Sequence, residues 1–366
     1  MRLELEILNI KDIQFADRTE VDDGVLNINP RELKEFLQKD NRLSNVDIEL
    51  ARPGEKCRIL RVHDVIEPRA KSNGSGEDFP GALGRQGIAG KGGTCVLRGA
   101  AVVLSECHEN GHNATRDDPN GEIIDMSGPA AEIGIYGNTH NIVLLPHPAG
   151  RARLQDYRKA LKIAGLKTAT YLARAGHGLN PDEVEVYDLS PVAKTVKGLE
   201  DLPRVAYIFQ ILSMQFAPIP GDPVLYGSNV DGIVPTVLHP NEVLDGAVCN
   251  PCRGNLLVET YVIQNQPIIK ELYRRHGRDL NFAGVIIATA HNNPPEYERT
   301  AYMAAHLSKW VLGADGVIVT KAGGGAPEVS MSQIALRCEE IGVNSAIAMA
   351  HMAADANDTS SEASVI

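Results

Sequence analysis

Between residues 284 and 349, three short apolar runs alternate with two helical patterns, and few folds accommodate that order. The runs are Gly284 to Ala290, Gly316 to Thr320 and Asn344 to Met349, and the helical stretches are Glu296 to Val311 and Val329 to Ile341. Strands joined by helices of this length are not hairpin neighbours, so the order predicts a Rossmann-like βαβαβ unit with a parallel sheet. Strand-like runs at Val205 to Leu212 and Gly232 to Leu238 precede it. Ligands of such sheets usually sit outside the carboxyl ends of the strands, here His291-Asn292-Asn293 and Lys321-Ala322-Gly323-Gly324-Gly325. Short βα turns select Asn and Gly for backbone reasons alone, so neither loop by itself defines a site.

The first part of the chain reads differently. Short β-type runs, Val25 to Ile28, Val46 to Leu50, Cys57 to Val62, Thr94 to Leu104 and Asn141 to Leu145, alternate with turn-rich connections. A Gly-rich stretch around Asn73 and then Gly81 to Gly93 lacks the spacing of a phosphate-binding fingerprint and reads as a plain mobile loop. From Leu154 to Ala175, residues Leu154, Tyr157, Leu161, Ala164, Thr168, Tyr171 and Leu172 share one face at helical spacing, and Gly176 stops the helix. An acidic turn follows at Asn180 to Glu185. The expected fold class is therefore α/β: a mainly-β N-terminal domain over residues 1–150, then an α/β domain with parallel strands over residues 151–366.

Charge narrows the partners. A net charge of -11 disfavours nucleic acid, which rewards a basic stripe. A small molecule or another protein fits better. The N-terminus lacks the basic start and apolar core of a signal peptide, and no apolar stretch is long enough to span a bilayer. Six cysteines, at 57, 95, 107, 249, 252 and 338, are too sparse for a secreted disulfide scaffold. The expectation is a cytoplasmic protein with reduced thiols.

The most informative segment is Leu238-His-Pro-Asn-Glu-Val-Leu-Asp245-Gly246-Ala247, continued by Val248-Cys249-Asn250-Pro251-Cys252-Arg253-Gly254-Asn255 and by Tyr261-Val262-Ile263-Gln264-Asn265-Gln266-Pro267. Matching text flanks it, including Ile10 to Phe15, Glu49 to Glu55, Asp64 to Arg69, Ile124 to Gly128, Leu202 to Tyr207, Glu271 to Tyr273, Gly284 to Ile286 and Asp315 to Val319. In order and spacing, over nearly the whole length, these residues resemble the proprotein of the pyruvoyl-bearing component B subunits of glycine/sarcosine/betaine reductases.

The resemblance implies an oxidoreductase subunit of the amino-acid reductase type, acting in reductive C–N cleavage of glycine, sarcosine, betaine or a related amino compound. It implies a selenoprotein or thiol-protein partner within an oligomeric complex; this chain carries no selenocysteine. It also implies self-cleavage at an internal cysteine, which becomes a pyruvoyl group at the new N-terminus. A thiol beside the preceding carbonyl can form a thioester by N-to-S shift, and elimination and hydrolysis then leave a ketoamide. A substrate amine can form a Schiff base with it, although a quaternary amine such as betaine cannot. By alignment to the family's motif Cys252 is the candidate, with Cys249 as second choice. The family tends to place Asn directly before this cysteine; here Pro251 stands there and Asn250 one step earlier. A prolyl carbonyl is hindered, and Pro restricts the backbone on both sides. Family members also continue past the region of Ala353-Ala354-Asp355, so the resemblance implies a fragment or a shortened relative.

Without the family, Cys249-Asn-Pro-Cys252 is a CxxC. A thioredoxin-like role needs it at a helix N-terminus, yet the residues that follow read as strand. Zinc is the stronger alternative: Cys107, His108 and His112 would join Cys249 and Cys252 in a tetrahedral site, spending the thiol that cleavage requires. The protein would then be an uncleaved structural or partner-binding relative. His239 and Asp245 could assist proton transfer or could cap a turn. Cys57, Cys95 and Cys338 read as core thiols, and Trp310 as packing on a helix.

Overall fold

The computed structural model describes residues 1–72, 74–106, 122–150, 153–190, 198–214, 233–250, 252, 258–291, 293–321 and 326–348. The chain begins with strands β1 (Arg2–Asn9), β2 (Asp12–Phe15), β3 (Glu20–Asp22) and β4 (Val25–Ile28), then helix α1 (Pro30–Leu37). Strands β5 (Leu43–Ala51), β6 (Arg58–Ile66), β7 (Arg69–Lys71), β8 (Gly92–Arg98), β9 (Ala100–Ser105) and β10 (Glu122–Asp125) follow. Next come α2 (Pro129–Ile133), β11 (His140–Pro148), α3 (Leu154–Ala173), β12 (Glu183–Asp188), β13 (Arg204–Met214), β14 (Thr236–Leu238) and α4 (Pro240–Leu244). The remainder is α5 (Thr260–Gln264), α6 (Pro267–Arg275), β15 (Asn281–His291), α7 (Pro294–His306), β16 (Gly316–Thr320), α8 (Ala326–Glu340) and β17 (Asn344–Ala348).

Alternation explains the first strand. Leu3, Leu5 and Ile7 point inward and are fully buried, while Arg2 and Asn9 are exposed. Each such side chain contributes about 1.5–3 kcal/mol of burial. β1 lies between β12, antiparallel, and β8, parallel, in a sheet of order β12-β1-β8-β7. The acidic segment expected as a turn is thus half strand: Glu183–Asp188 pairs with Arg2 to Ile7 of β1. A second sheet has order β10-β6-β9-β11-β5, and β2-β4-β3 form a third. The single run expected from Thr94 to Leu104 is two strands in different sheets. They part at Gly99, whose φ of 89° is left-handed and where a Cβ would come within 2.7 Å of the Ile10 carbonyl oxygen.

The long helix forms as its spacing predicts. Tyr157, Leu161, Ala164, Thr168 and Leu172 of α3 are buried, Tyr171 is half-buried, and a 3-10 turn ends it at Arg174–Gly176. Its apolar face packs over β6, β7, β9 and β11 with Ile66, Leu104 and Ile142. Gly165 makes that contact close, because a Cβ there would meet Leu104 Cδ1 at 2.7 Å.

In the C-terminal sheet, of order β14-β15-β13-β16-β17, β13, β15, β16 and β17 run parallel, with α7 and α8 as the crossovers. Of the described residues in the run from Gly232, Thr236–Leu238 form β14, antiparallel to β15. One face carries α7 and α8 over Ile208, Ile286 and Val319. The other, with Tyr207, Phe209, Val285 and Ile287, packs against Leu3, Leu5 and Ile7 of β1 and against Val243, Leu244, Ile263 and Ile269. Among the described residues, no helix is long and apolar enough to cross a membrane.

Two residues depart from what the sequence predicts. Trp310 is 73% exposed rather than packed. Helix α7 ends at His306, and a wider π-type turn over Leu307–Val311, closed by the Leu312 N–H to the Leu307 carbonyl at 3.0 Å, shifts the helical phase and turns Ser308 inward instead. Cys57 is exposed, because a turn joining its N–H to the Glu55 carbonyl holds it outside β6. Cys95 and Cys338 are buried as expected.

Candidate functional site

The segment from His239 to Gln266 is fastened to the first-half sheets by three groups of buried polar contacts. The first begins at α4. His239 caps it: its Nδ1 accepts the Asn241 N–H at 3.2 Å, and its own N–H donates to Glu242 Oε2 at 2.6 Å. Burial pushes His239 down to about 4, so near neutral pH it is an uncharged cap. At the end of α4, Asp245 accepts from Lys71 Nζ at 2.7 Å, Thr94 Oγ1 at 2.8 Å and the Gly90 N–H at 2.7 Å. The Gly-rich stretch is therefore not simply a loose loop. Gly90, at φ 90°, lies where a Cβ would come within 2.8 Å of the Asn241 carbonyl carbon, and only glycine admits that approach.

The second group is the pair Arg69 and Glu67, both buried, with Arg69 Nε 2.8 Å from Glu67 Oε2. Arg69 Nη1 also donates to the Leu244 carbonyl at 2.6 Å and Nη2 to Asn265 Oδ1 at 3.0 Å. The Glu67 N–H reaches Gln264 Oε1 at 3.2 Å.

The third group contains the two candidate cysteines. Cys249 and Cys252 are both buried in the apolar cluster that includes Phe79, Tyr157, Ala160 and Leu161. The Cys249 thiol lies 3.6 Å from the Gly246 carbonyl oxygen. Cys252 has φ 55°, a left-handed conformation that costs a side-chain-bearing residue roughly 1–2 kcal/mol. Its N–H donates to Asn250 Oδ1 at 2.7 Å. The Asn250 N–H donates to Thr260 Oγ1 at 2.9 Å, and Asn250 Nδ2 to the Val258 carbonyl at 3.4 Å. Thr260 in turn donates through Oγ1 to Asp64 Oδ2 at 2.7 Å and through its N–H to Asp64 Oδ1 at 2.8 Å. The Val65 N–H completes the carboxyl's partners at 2.9 Å.

Burial dominates the electrostatics here. It raises the Cys249 thiol to about 12 and Cys252 well above its ordinary value; Asp64 adds to the rise, while Lys162 of α3 opposes it. Both thiols rest protonated, so any attack by sulfur must transfer a proton as it proceeds. Burial also lifts Asp64 to about 8, against the lowering pull of the Thr260 and Val65 donors and with a further push from Glu259. A carboxyl raised in the folded state binds its proton more tightly folded than unfolded, so stability falls as pH rises from about 4 to 8. Every tenfold gain in proton affinity on folding is worth about 1.4 kcal/mol of that loss. The isosteric Asp64→Asn cannot ionise, and is expected to flatten the pH dependence of the melting temperature across that window; an unchanged slope would assign it to another group.

Thr260 is absent from the residues that the sequence singles out, and Asp64 enters there only as the first residue of a matching segment, with no role assigned, whereas His239 and Asp245 prove to be a helix cap and an anchor. Cys107, His108 and His112 lie outside the described residues, as do Pro251, Asn292 and 322–325. Among the described residues, no three His, Cys, Asp or Glu side chains are grouped to hold a metal ion. At the carboxyl ends of the parallel strands, His291 pairs with Glu296 at 3.3 Å and Lys321 with Glu328.

Cys252 thus combines burial in the first-half core with a left-handed backbone. The chain belongs to the family of glycine/sarcosine/betaine reductase component B subunits, whose model matches residues 1–364. It is 38% identical over 346 residues to the "glycine reductase complex component B subunits alpha and beta" of Acetoanaerobium sticklandii, covering 93% of this chain and 76% of that one. It is 36% identical to the "sarcosine reductase complex component B subunit alpha" of Peptoclostridium acidaminophilum, over 93% of this chain and 78% of the relative. To the "betaine reductase complex component B subunit alpha" of the same organism it is 33% identical, over 94% and 77%. No solved structure matches the chain.

Proposed function

We propose that the chain is the precursor of the substrate-binding subunits of a glycine/sarcosine/betaine reductase-like complex, cut before Cys252 so that this residue becomes a pyruvoyl group. The observation that carries the reading is the backbone of Cys252, a non-glycine residue held at φ 55° by a hydrogen bond from its own N–H to Asn250. Strain of this sort at a buried, nucleophile-bearing residue is retained where it serves chemistry. Support comes also from a relative of a single chain that is named for two subunits, alpha and beta.

The residues fit the group. A pyruvoyl terminus is uncharged and smaller than cysteine, so it demands no new charge in the apolar cluster that now encloses the thiol. Exclusion of water there favours the intramolecular shift of the acyl group over hydrolysis. The group would supply an electrophilic carbonyl for a small amino compound, with a selenoprotein or thiol-protein partner in the cytoplasm providing the reducing equivalents. The chain's own residues keep the two products together: β13, upstream of the cut, lies between β15 and β16, downstream of it.

Mass spectrometry of freshly purified protein under denaturing conditions tests this reading. Two fragments are expected, the downstream one bearing a carbonyl-reactive terminus in place of Cys252, and both should co-elute in native size exclusion. A single unmodified chain of 39.5 kDa would overturn the proposal.

A further inference from the structure

We infer that Asp64 and Thr260 are positioning residues for the cleavage before Cys252, acting through Asn250 on the peptide that is cut. The inference rests on the processing reading above and extends it to residues far from the cysteine in sequence.

An unbroken series of hydrogen bonds joins the carboxyl to the scissile peptide. Asp64 binds both the N–H and the hydroxyl of Thr260, at 2.8 and 2.7 Å, so the Thr260 side chain has its donor committed and presents a lone pair. That lone pair accepts the Asn250 N–H at 2.9 Å. Asn250 is fixed at its backbone, and its side-chain oxygen receives the Cys252 N–H at 2.7 Å. All four residues are buried, so water does not compete for these bonds. The nitrogen at the end of the series is the atom that must leave carbon during cleavage. In that step the Cys252 sulfur forms a bond to the preceding carbonyl carbon, the C–N bond breaks, and the thiol proton passes to the nitrogen. Loss of the Cα proton then expels the upstream chain as a thiocarboxylate, and water hydrolyses the remaining enamine, as its imine, to the ketoamide and ammonia. Electrons balance with water as the sole co-reactant. A peptide free to rotate would spend little time with sulfur near that carbon, and misplacement by an ångström can cost about 100-fold.

The relay has a further consequence after the cut. Asn250 ends up on the upstream chain and Thr260 on the downstream one, while Asp64 is upstream again, so the Thr260 bonds tie the downstream chain to the upstream one, whereas the bond from the Cys252 nitrogen is lost when that nitrogen leaves as ammonia.

The test is cleavage in a cell-free translation of the full chain, followed over time by intact mass. Thr260→Val, which keeps the shape and removes the hydroxyl, is expected to slow cleavage about 10- to 100-fold, and Thr260→Ser to restore it to near the wild-type rate. Asp64→Asn, which turns the partner of the Thr260 hydroxyl from acceptor to donor if its amide nitrogen faces it, should also slow it. Far-UV circular dichroism and melting of each chain separate this effect from unfolding. Cleavage of Thr260→Val at the wild-type rate, with the wild type cut and Cys252→Ala uncut, would overturn the relay and leave the processing reading intact. Equal slowing in Thr260→Val and Thr260→Ser would also count against it. A wild-type chain that never cuts would overturn both. Should Thr260→Val fail to fold, Asp64→Asn and Thr260→Ser decide the matter on their own rates.

Discussion

Cys252→Ala remains a single chain under conditions in which the wild type separates into two, and Cys249→Ala cuts like the wild type. The prediction rests on chemistry and on a difference in geometry. Alanine offers no nucleophile to the preceding carbonyl, and unassisted peptide hydrolysis is far too slow to substitute. Both cysteines are buried and both thiols are pushed up by that burial, so neither accessibility nor acidity singles one out. Backbone conformation does. Cys252 is left-handed at φ 55° with its N–H bound to the Asn250 side chain, whereas Cys249 has an ordinary φ and its thiol rests 3.6 Å from the Gly246 carbonyl oxygen. Gel electrophoresis and intact mass of the two variants give the answer directly. Cleavage surviving in Cys252→Ala and lost in Cys249→Ala would move the assignment to the other thiol; cleavage in both would remove the cysteines from the reaction.

The parallel C-terminal strands and the long α3 helix are legible in the sequence because each repeats one period over many residues. Gly316–Thr320 and Leu154–Ala173 are such cases, one an unbroken apolar run and the other a sustained face. The N-terminal sheets are harder to read, since pairing there is set by distant partners: nothing local in Glu183–Asp188 announces that it borders β1. The candidate site divides in the same way. Its cysteines stand out by type and by family motif, and Asn250 by position. Asp64 does not, because the ladder shifts register between Val62 and Asp64 and Arg61 is left-handed at φ 54°, so alternation along β6 cannot say which way its carboxyl points. The available signals are a charged residue inside the run Val62-His63-Asp64-Val65-Ile66 and its place at the head of a family-matching segment, and neither assigns it a partner. Thr260 lacks even these signals, since a threonine at the start of a short helix is commonplace until its partner is known.

Loss of the Asp245 carboxylate should destabilise the fold more than any change at the surface, and the reason is the charge it leaves behind. Lys71 Nζ is buried with three acceptors: Asp245 Oδ2 at 2.7 Å, Thr94 Oγ1 at 2.8 Å and the Lys91 carbonyl at 2.9 Å. Asp245→Ala strands that ammonium without its counter-charge and also leaves the Gly90 N–H and the Thr94 O–H without the acceptor they now share. Breaking a buried pair from one side typically costs about 3–5 kcal/mol, a large share of the roughly 5–15 kcal/mol that hold a domain together. The neighbouring pair Arg69 and Glu67 ties down the same segment at Leu244 and Asn265, so loosening spreads from α4 toward Asn250. Urea unfolding of Asp245→Ala in an uncut Cys252→Ala background measures the cost apart from cleavage. The double change Lys71→Met with Asp245→Leu removes both charges at once and is expected to recover most of the loss, since apolar replacement of a whole buried pair is often neutral. A midpoint for Asp245→Ala near the wild-type value would show that the pair holds nothing. A double variant no better than the single would place the cost in the Gly90 and Thr94 hydrogen bonds, and the anchoring of the processing segment would then rest on hydrogen bonding rather than charge.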